Sequence, residues 1–111
     1  MNMREITIKI GQEVKVNGEV YPVLLDEVEI LEAAESIQAE ASKIEQTPAG
    51  IRAFGLKLTE FLDKVLGQGA VAKIAGGRKV GIVTLLSLVS HITADISKSY
   101  ADTLAEYAPR K

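Results

Sequence analysis

Residues 61–78 read FLDKVLGQGAVAKIAGGR, and this stretch decides how the helices of the chain are divided. It contains the end of an amphipathic helix, a glycine that terminates this helix, a segment of one to two helical turns and a glycine pair. Glycine just past the last helical turn is typical of a helix C-terminus, because glycine adopts a positive φ without steric cost. We therefore expect structural turns at Gly67, Gly69, Gly76 and Gly77. The stretch predicts a helix, a short helical connector and a long last helix from near Lys79 to about Ala108.

Two helices are predicted before the connector. Asp26 is a suitable N-cap for a helix that runs to about Gln46. Thr47 and Pro48 then predict a second start, because proline fits the first helical position, and this helix runs to Leu66. Apolar residues at spacings of three and four form a stripe along each helix, and the stripe of the second helix is expected to face inward. They are Ile30, Ala34, Ile37, Ala41 and Ile44 in the first helix, Ile51, Phe54, Leu58, Phe61, Leu62 and Val65 in the second, and Ile82, Leu85, Val89, Ile92, Ile96, Tyr100, Leu104 and Tyr107 in the last.

The N-terminal part of the chain has the pattern of β-strands. Asn17 and Gly18 form the pair best suited to the positive φ angles of a type I′ turn, and they lie between two short alternating segments. Pro22 has no amide hydrogen, so we expect it at an edge or near a strand end. Residues 5–10 read EITIKI, a strict period of two that leaves open a third strand. The sequence thus predicts a β-hairpin in residues 1–25.

Together these patterns predict one α+β domain, mainly α-helical. A β-hairpin is followed by three helices and a short helical connector, and the helical region spans residues 26–108. A chain of 111 residues is long enough for a single hydrophobic core.

Composition excludes several classes of function. The chain has no cysteine, so disulfides and thiolate metal sites are ruled out, as fits an intracellular protein. The net charge of −2 argues against nonspecific binding to a nucleic-acid backbone. The N-terminus lacks the apolar segment of a secretory signal. The longest apolar run, Val80 to Val89, is too short and too interrupted to span a membrane.

No catalytic, cofactor-binding or metal-binding residues are predicted. Gly76 and Gly81 have the first spacing of a phosphate-binding loop, but Ile82 follows where lysine is needed. His91 is the only histidine, and Asp95 one turn later could bond to it, yet neither a nucleophile nor further metal ligands accompany the pair. We therefore expect a protein that is not an enzyme and needs no cofactor.

A second apolar set lies off the main stripe at the start of the last helix. A helix that is apolar on more than one face is either central in the core or covered by a partner, and the sequence leaves both open. Our hypothesis is a partner or oligomer interface formed by Val80, Val83, Leu86 and Leu88.

Four segments carry a resemblance to a known family. Residues 14–23 read VKVNGEVYPV, residues 61–69 read FLDKVLGQG, residues 73–78 read KIAGGR and residues 107–110 read YAPR. In this order they resemble small proteins from the tail-gene region of tailed phages and prophages of Gram-positive bacteria, which occupy the position of the tail assembly chaperone. The resemblance covers roughly residues 13–111. The last helix is more apolar than is usual for such proteins, and residues 4–11 look like an added strand.

The resemblance implies a phage tail assembly chaperone in the host bacterial cytoplasm. Such a protein coats the long, helical tape measure protein, helps to recruit tail-tube subunits, self-associates and is absent from the mature particle. A homo-oligomer is expected, with the tape measure and tail-tube proteins as partners and no nucleic acid or membrane. The alternative is a structural tail-completion or neck subunit of the phage particle, because that role also needs self-associating apolar helices.

Overall fold

The computed structural model describes residues 3–8 and 10–107, and confirms a mainly helical α+β fold. A two-stranded antiparallel hairpin precedes the helices. In chain order the elements are β1 (Glu13–Val16), β2 (Glu19–Pro22), α1 (Glu27–Ala41), α2 (Pro48–Leu66), the short α3 (Ala70–Ala75) and α4 (Ile82–Tyr107).

The hairpin turns at the two residues that the sequence indicated. Asn17 has a φ of 50° and Gly18 a φ of 85°, as a type I′ turn requires. Val16 therefore pairs with Glu19 directly across the turn. The third strand that the sequence left open is not formed by residues 5–8 or Ile10, and Lys9 lies outside the described residues.

α1 begins as predicted but ends early. Asp26 and Glu29 form a reciprocal capping box, in which each side chain accepts a hydrogen bond from the other's backbone N–H, at 2.8 and 3.0 Å. The helix ends at Ala41 and not near Gln46. The Ser42 hydroxyl donates to the Ala39 carbonyl at 2.8 Å, and this local bond competes with continuation of the helix.

α2 is capped at both ends by the residues that the sequence indicated. The Thr47 hydroxyl accepts a hydrogen bond from the Gly50 N–H at 3.1 Å, and Pro48 occupies the first helical position. At the other end Gly67, with a φ of 119°, donates its N–H to the Asp63 carbonyl at 2.9 Å. The boundaries of α2 are therefore set by local backbone chemistry.

Asp63 also fixes the corner between α2 and α3. Gly69, which precedes α3, is left-handed and has no side chain to cap the helix. Instead the Asp63 carboxylate reaches across the corner and accepts the Val71 N–H at 3.1 Å. Gly76 and Gly77 follow α3 with φ angles of 61° and 86°. The spacing of Asp63 and the glycines in residues 61–78 thus has a structural explanation.

We expect Asp63→Ala to destabilise the fold by about 1 kcal/mol, as for loss of a helix N-cap. Urea denaturation followed by circular dichroism measures the change. Asp63→Asn is the matched control, because its amide oxygen can still accept the Val71 N–H. An Asn variant as unstable as the Ala variant would contradict this role.

The hairpin is held against the α2–α3 corner. The Leu24 N–H donates to the Val65 carbonyl at 2.7 Å, and the buried Tyr21 ring has the Lys73 ammonium 5.6 Å from its centroid. The Lys73 ammonium also pairs with the Glu19 carboxylate at 2.8 Å. The hydrogen bond and the charge of Glu19 raise the pKa of Lys73. A raised lysine pKa means that Lys73 is charged at neutral pH and that its contribution to stability is lost as the pH rises through that pKa in strongly alkaline solution.

The core lies among α1, α2 and α4, with the hairpin closing one side. Its largest fully buried side chains come from all three helices: Ile30, Leu58, Leu62, Val65 and Ile96. The prediction that Ile51 faces inward is wrong, because this side chain in the first turn of α2 is 39% exposed. It borders a groove between α2 and α4 that no described residue fills.

α4 starts later than predicted and extends past its neighbours. It begins at Ile82, so Arg78 and Lys79 remain outside the first turn, where the helix dipole disfavours cations. At 1.5 Å per residue α4 is roughly 39 Å long, against roughly 22 Å for α1 and 28 Å for α2. Its apolar stripe is therefore buried only as far as Ile96. Tyr100, Leu104 and Tyr107 continue the predicted stripe but are not covered, since they are 52%, 50% and 80% exposed.

Candidate partner-binding surface

The first half of α4 is uncharged although one face of it is exposed. Residues 80–94 contain no Asp, Glu, Lys or Arg. A helix at the surface of a globular protein normally carries charged side chains on the face that it turns to solvent. Here that face carries Val83, Leu86, Ser87, Ser90 and Ala94, all of which are exposed.

The four residues of the hypothesised interface lie in two different environments. Val83 is 78% exposed and Leu86 is 38% exposed. Val80 and Leu88 are partly buried and pack against the core. We call Val83 and Leu86 the α4 ridge, because they stand side by side on the outer face of the helix, three residues apart.

A groove of about 560 Å³ lies between α2 and the residues around the start of α4. Its apolar walls are formed by Ile51, Leu56, Val80, Ile82 and Leu85, and Arg52 adds a charged side chain to its lining. Leu56 is 63% exposed, so the apolar wall continues onto the surface of α2.

A second groove, of about 430 Å³, lies beside the ridge, between α1 and α4. Leu86 of the ridge is at its edge, and its floor is Ile37 and Val89. Small side chains make up most of the rest: Ala34, Ala41, Ser90, Thr93, Ala94 and Ser97. Within the described residues, the buried Thr93 hydroxyl has no hydrogen-bond partner. Small residues let the backbone of a partner helix approach closely, and the ridge and the two grooves together form the candidate partner-binding surface.

Sequence reasoning missed Ile51 and Leu56 as part of this surface. Ile51 belongs to the periodic stripe of α2 and was therefore expected in the core. Leu56 lies off that stripe, and an apolar residue on the polar side of an amphipathic helix is the one signal that could have pointed to it.

No constellation of side chains in the described part of the chain suggests catalysis. His91 and Asp95 are both exposed on α4. Between residues 3 and 107, leaving out Lys9, no three His, Asp or Glu side chains are placed to hold a metal ion. The helices within these same residues include none that is long and apolar enough to cross a membrane.

Comparison with known proteins gives no family for this chain: no protein-family model, curated protein or solved structure matches it. The function of this protein is therefore inferred from its surface and from the sequence resemblance.

Proposed function

We propose that this protein is a non-enzymatic tail assembly chaperone of a phage or prophage. In this role it binds the tape measure protein, coats it in many copies, helps to recruit tail-tube subunits and acts in the host bacterial cytoplasm. The observation that carries the proposal is the uncharged, exposed face of α4 over residues 80–94, which borders the groove between α1 and α4.

The chemistry of this face suits a long helical partner. A tape measure protein presents apolar stripes on helices that would otherwise be exposed to water. The α4 ridge supplies apolar contact at Val83 and Leu86, and the small residues beyond it permit close packing of a helix. Exposed apolar patches of this kind usually mark protein-binding sites.

The surface is also suited to reversible binding. The exposed face of α4 over residues 80–94 lacks charged side chains that would fix one register, so it can accept many different stretches of an apolar helix. A chaperone that is later displaced by tail-tube subunits needs this tolerance. The resemblance of residues 61–78 to the phage tail-region proteins supports the same role.

Mass spectrometry of infected-cell lysate and of purified phage particles tests the proposal against the structural-subunit alternative. We expect the protein in lysate during tail assembly and its absence from mature particles. A stoichiometric amount in purified particles would contradict the chaperone role and favour a tail-completion or neck subunit.

A further inference from the structure

The outer edge of β1 can accept another strand. In the described part of the chain the sheet has two strands, so β1 has β2 as its one strand neighbour. Val16 pairs with Glu19 across a two-residue turn, and alternate residues of an antiparallel pair direct their backbone groups to opposite sides. Lys15 therefore directs its N–H and C=O away from β2. The bond from the Val23 N–H to the Gln12 carbonyl, at 2.7 Å, continues the same alternation.

The outer edge of β2, in contrast, is closed. Pro22 occupies an outward position and has no N–H to donate. The next outward group, the Leu24 N–H, already donates to the Val65 carbonyl of α2 at 2.7 Å. Of the two edges of this sheet, only that of β1 is suited to pairing.

The segment before β1 has the pattern of a strand but lies outside the sheet. We call residues 3–8 and Ile10 the N-terminal arm. Ile6 and Ile8 are each 70% exposed and Ile10 is 93% exposed, and they alternate with polar residues. An alternating segment with one apolar face is stabilised when it joins a sheet, because its apolar face is then covered.

The arm and the β1 edge match in both apolar pattern and charge. In an antiparallel register with Ile6 opposite Val14, the arm isoleucines fall on the face through which Val14 packs against the core. The same register sets Glu5 opposite Lys15 on the solvent face, and opposite charges directly across two strands are favourable.

We propose that the N-terminal arm of one copy adds as a strand to the β1 edge of a second copy. Each copy carries both an arm and an edge at different places, so the contact is heterologous and repeats from copy to copy. Open chains of this kind can follow a long partner. The inference rests on the self-association that the proposed function requires, but it concerns contacts of this chain with itself alone.

Sedimentation velocity of the purified protein over a range of concentrations tests the inference. The wild type is expected to form oligomers that grow with concentration. Lys15→Pro removes the outward N–H of β1 together with the charge that this register sets opposite Glu5, and is expected to weaken association about tenfold or more. Val20→Pro is the matched control, because it removes an outward N–H from the closed edge of β2 and is expected to associate like the wild type.

The arm is tested in the same assay. Ile6→Asp with Ile8→Asp is expected to weaken association about tenfold or more, while the uncharged change Thr7→Asn on the opposite face is expected to leave it unchanged. Circular dichroism verifies that each variant keeps its helices.

Two results would overturn the inference. One is association of the Lys15→Pro protein at wild-type strength. The other is a wild type that stays monomeric at every concentration, as it would if the arm closed onto β1 of its own chain. Because no tape measure protein is present, neither result depends on whether the proposed partner is correct.

Discussion

Val83→Glu combined with Leu86→Glu is expected to reduce recovery of the tape measure protein to below about a tenth of the wild-type amount. Both side chains are exposed in the isolated chain, so the fold tolerates the change. In a complex the two carboxylates would lose their water, and the desolvation of a charge without a partner costs several kcal/mol. An affinity pull-down from cells that express the tail genes, read by mass spectrometry, measures the loss.

Val28→Glu is the matched control for this double substitution. Val28 is 64% exposed on α1, away from the α4 ridge, and receives the same change of side chain. We expect it to recover the tape measure protein like the wild type. Leu88→Glu would not be informative, because Leu88 packs against the core and its loss would unfold the chain. Equal recovery by the ridge variant and the Val28 variant would remove the ridge from the binding surface.

Leu62→Ala is expected to lower the free energy of unfolding by about 2–5 kcal/mol. Leu62 is fully buried in the last two turns of α2, so its truncation removes apolar contacts and leaves a cavity. A domain of this size is stable by only about 5–15 kcal/mol, so the variant would be partly unfolded at physiological temperature or close to it. Urea denaturation measures the change.

Leu56→Ala is the control on the same helix, because Leu56 is 63% exposed. We expect a change within about 0.5 kcal/mol. If the two alanine variants had the same stability, Leu62 would not be at the centre of the core. A stable Leu56→Ala protein also serves in the pull-down, where loss of apolar surface beside the α2–α4 groove is expected to weaken recovery.

The features that the sequence predicted well are those set within a few residues. The Asn17–Gly18 turn, the Asp26 and Thr47 caps and the Gly67 stop each depend on the φ preference or the hydrogen bonding of a local group. The apolar periodicity of α1, α2 and the first half of α4 was sufficient to identify most of the core.

The features that the sequence predicted poorly are those that depend on coverage by distant elements. Tyr100, Leu104 and Tyr107 continue the periodic stripe of α4 but are exposed, because the helices that would cover them are too short. The strand pattern of residues 5–10 is equally clear, yet residues 5–8 and Ile10 form no strand within this chain. Periodicity shows which face is apolar and not what covers that face.

The four residues of the hypothesised interface lie in two different environments for the same reason. Its four residues share one stretch of helix, but Val80 and Leu88 pack against the core whereas Val83 and Leu86 are exposed. Only the placement of α1 and α2 beside α4 separates them. That placement also brings Ile51 and Leu56 into one groove with Val80 and Ile82, which no pattern within α4 could indicate.

The most direct test of the central claim is an affinity pull-down of the wild-type protein from cells that express the neighbouring tail genes. We predict recovery of a very long helical protein together with the tail-tube subunit, at many copies of this chain per long protein. Recovery of this protein with no other component would contradict the chaperone function.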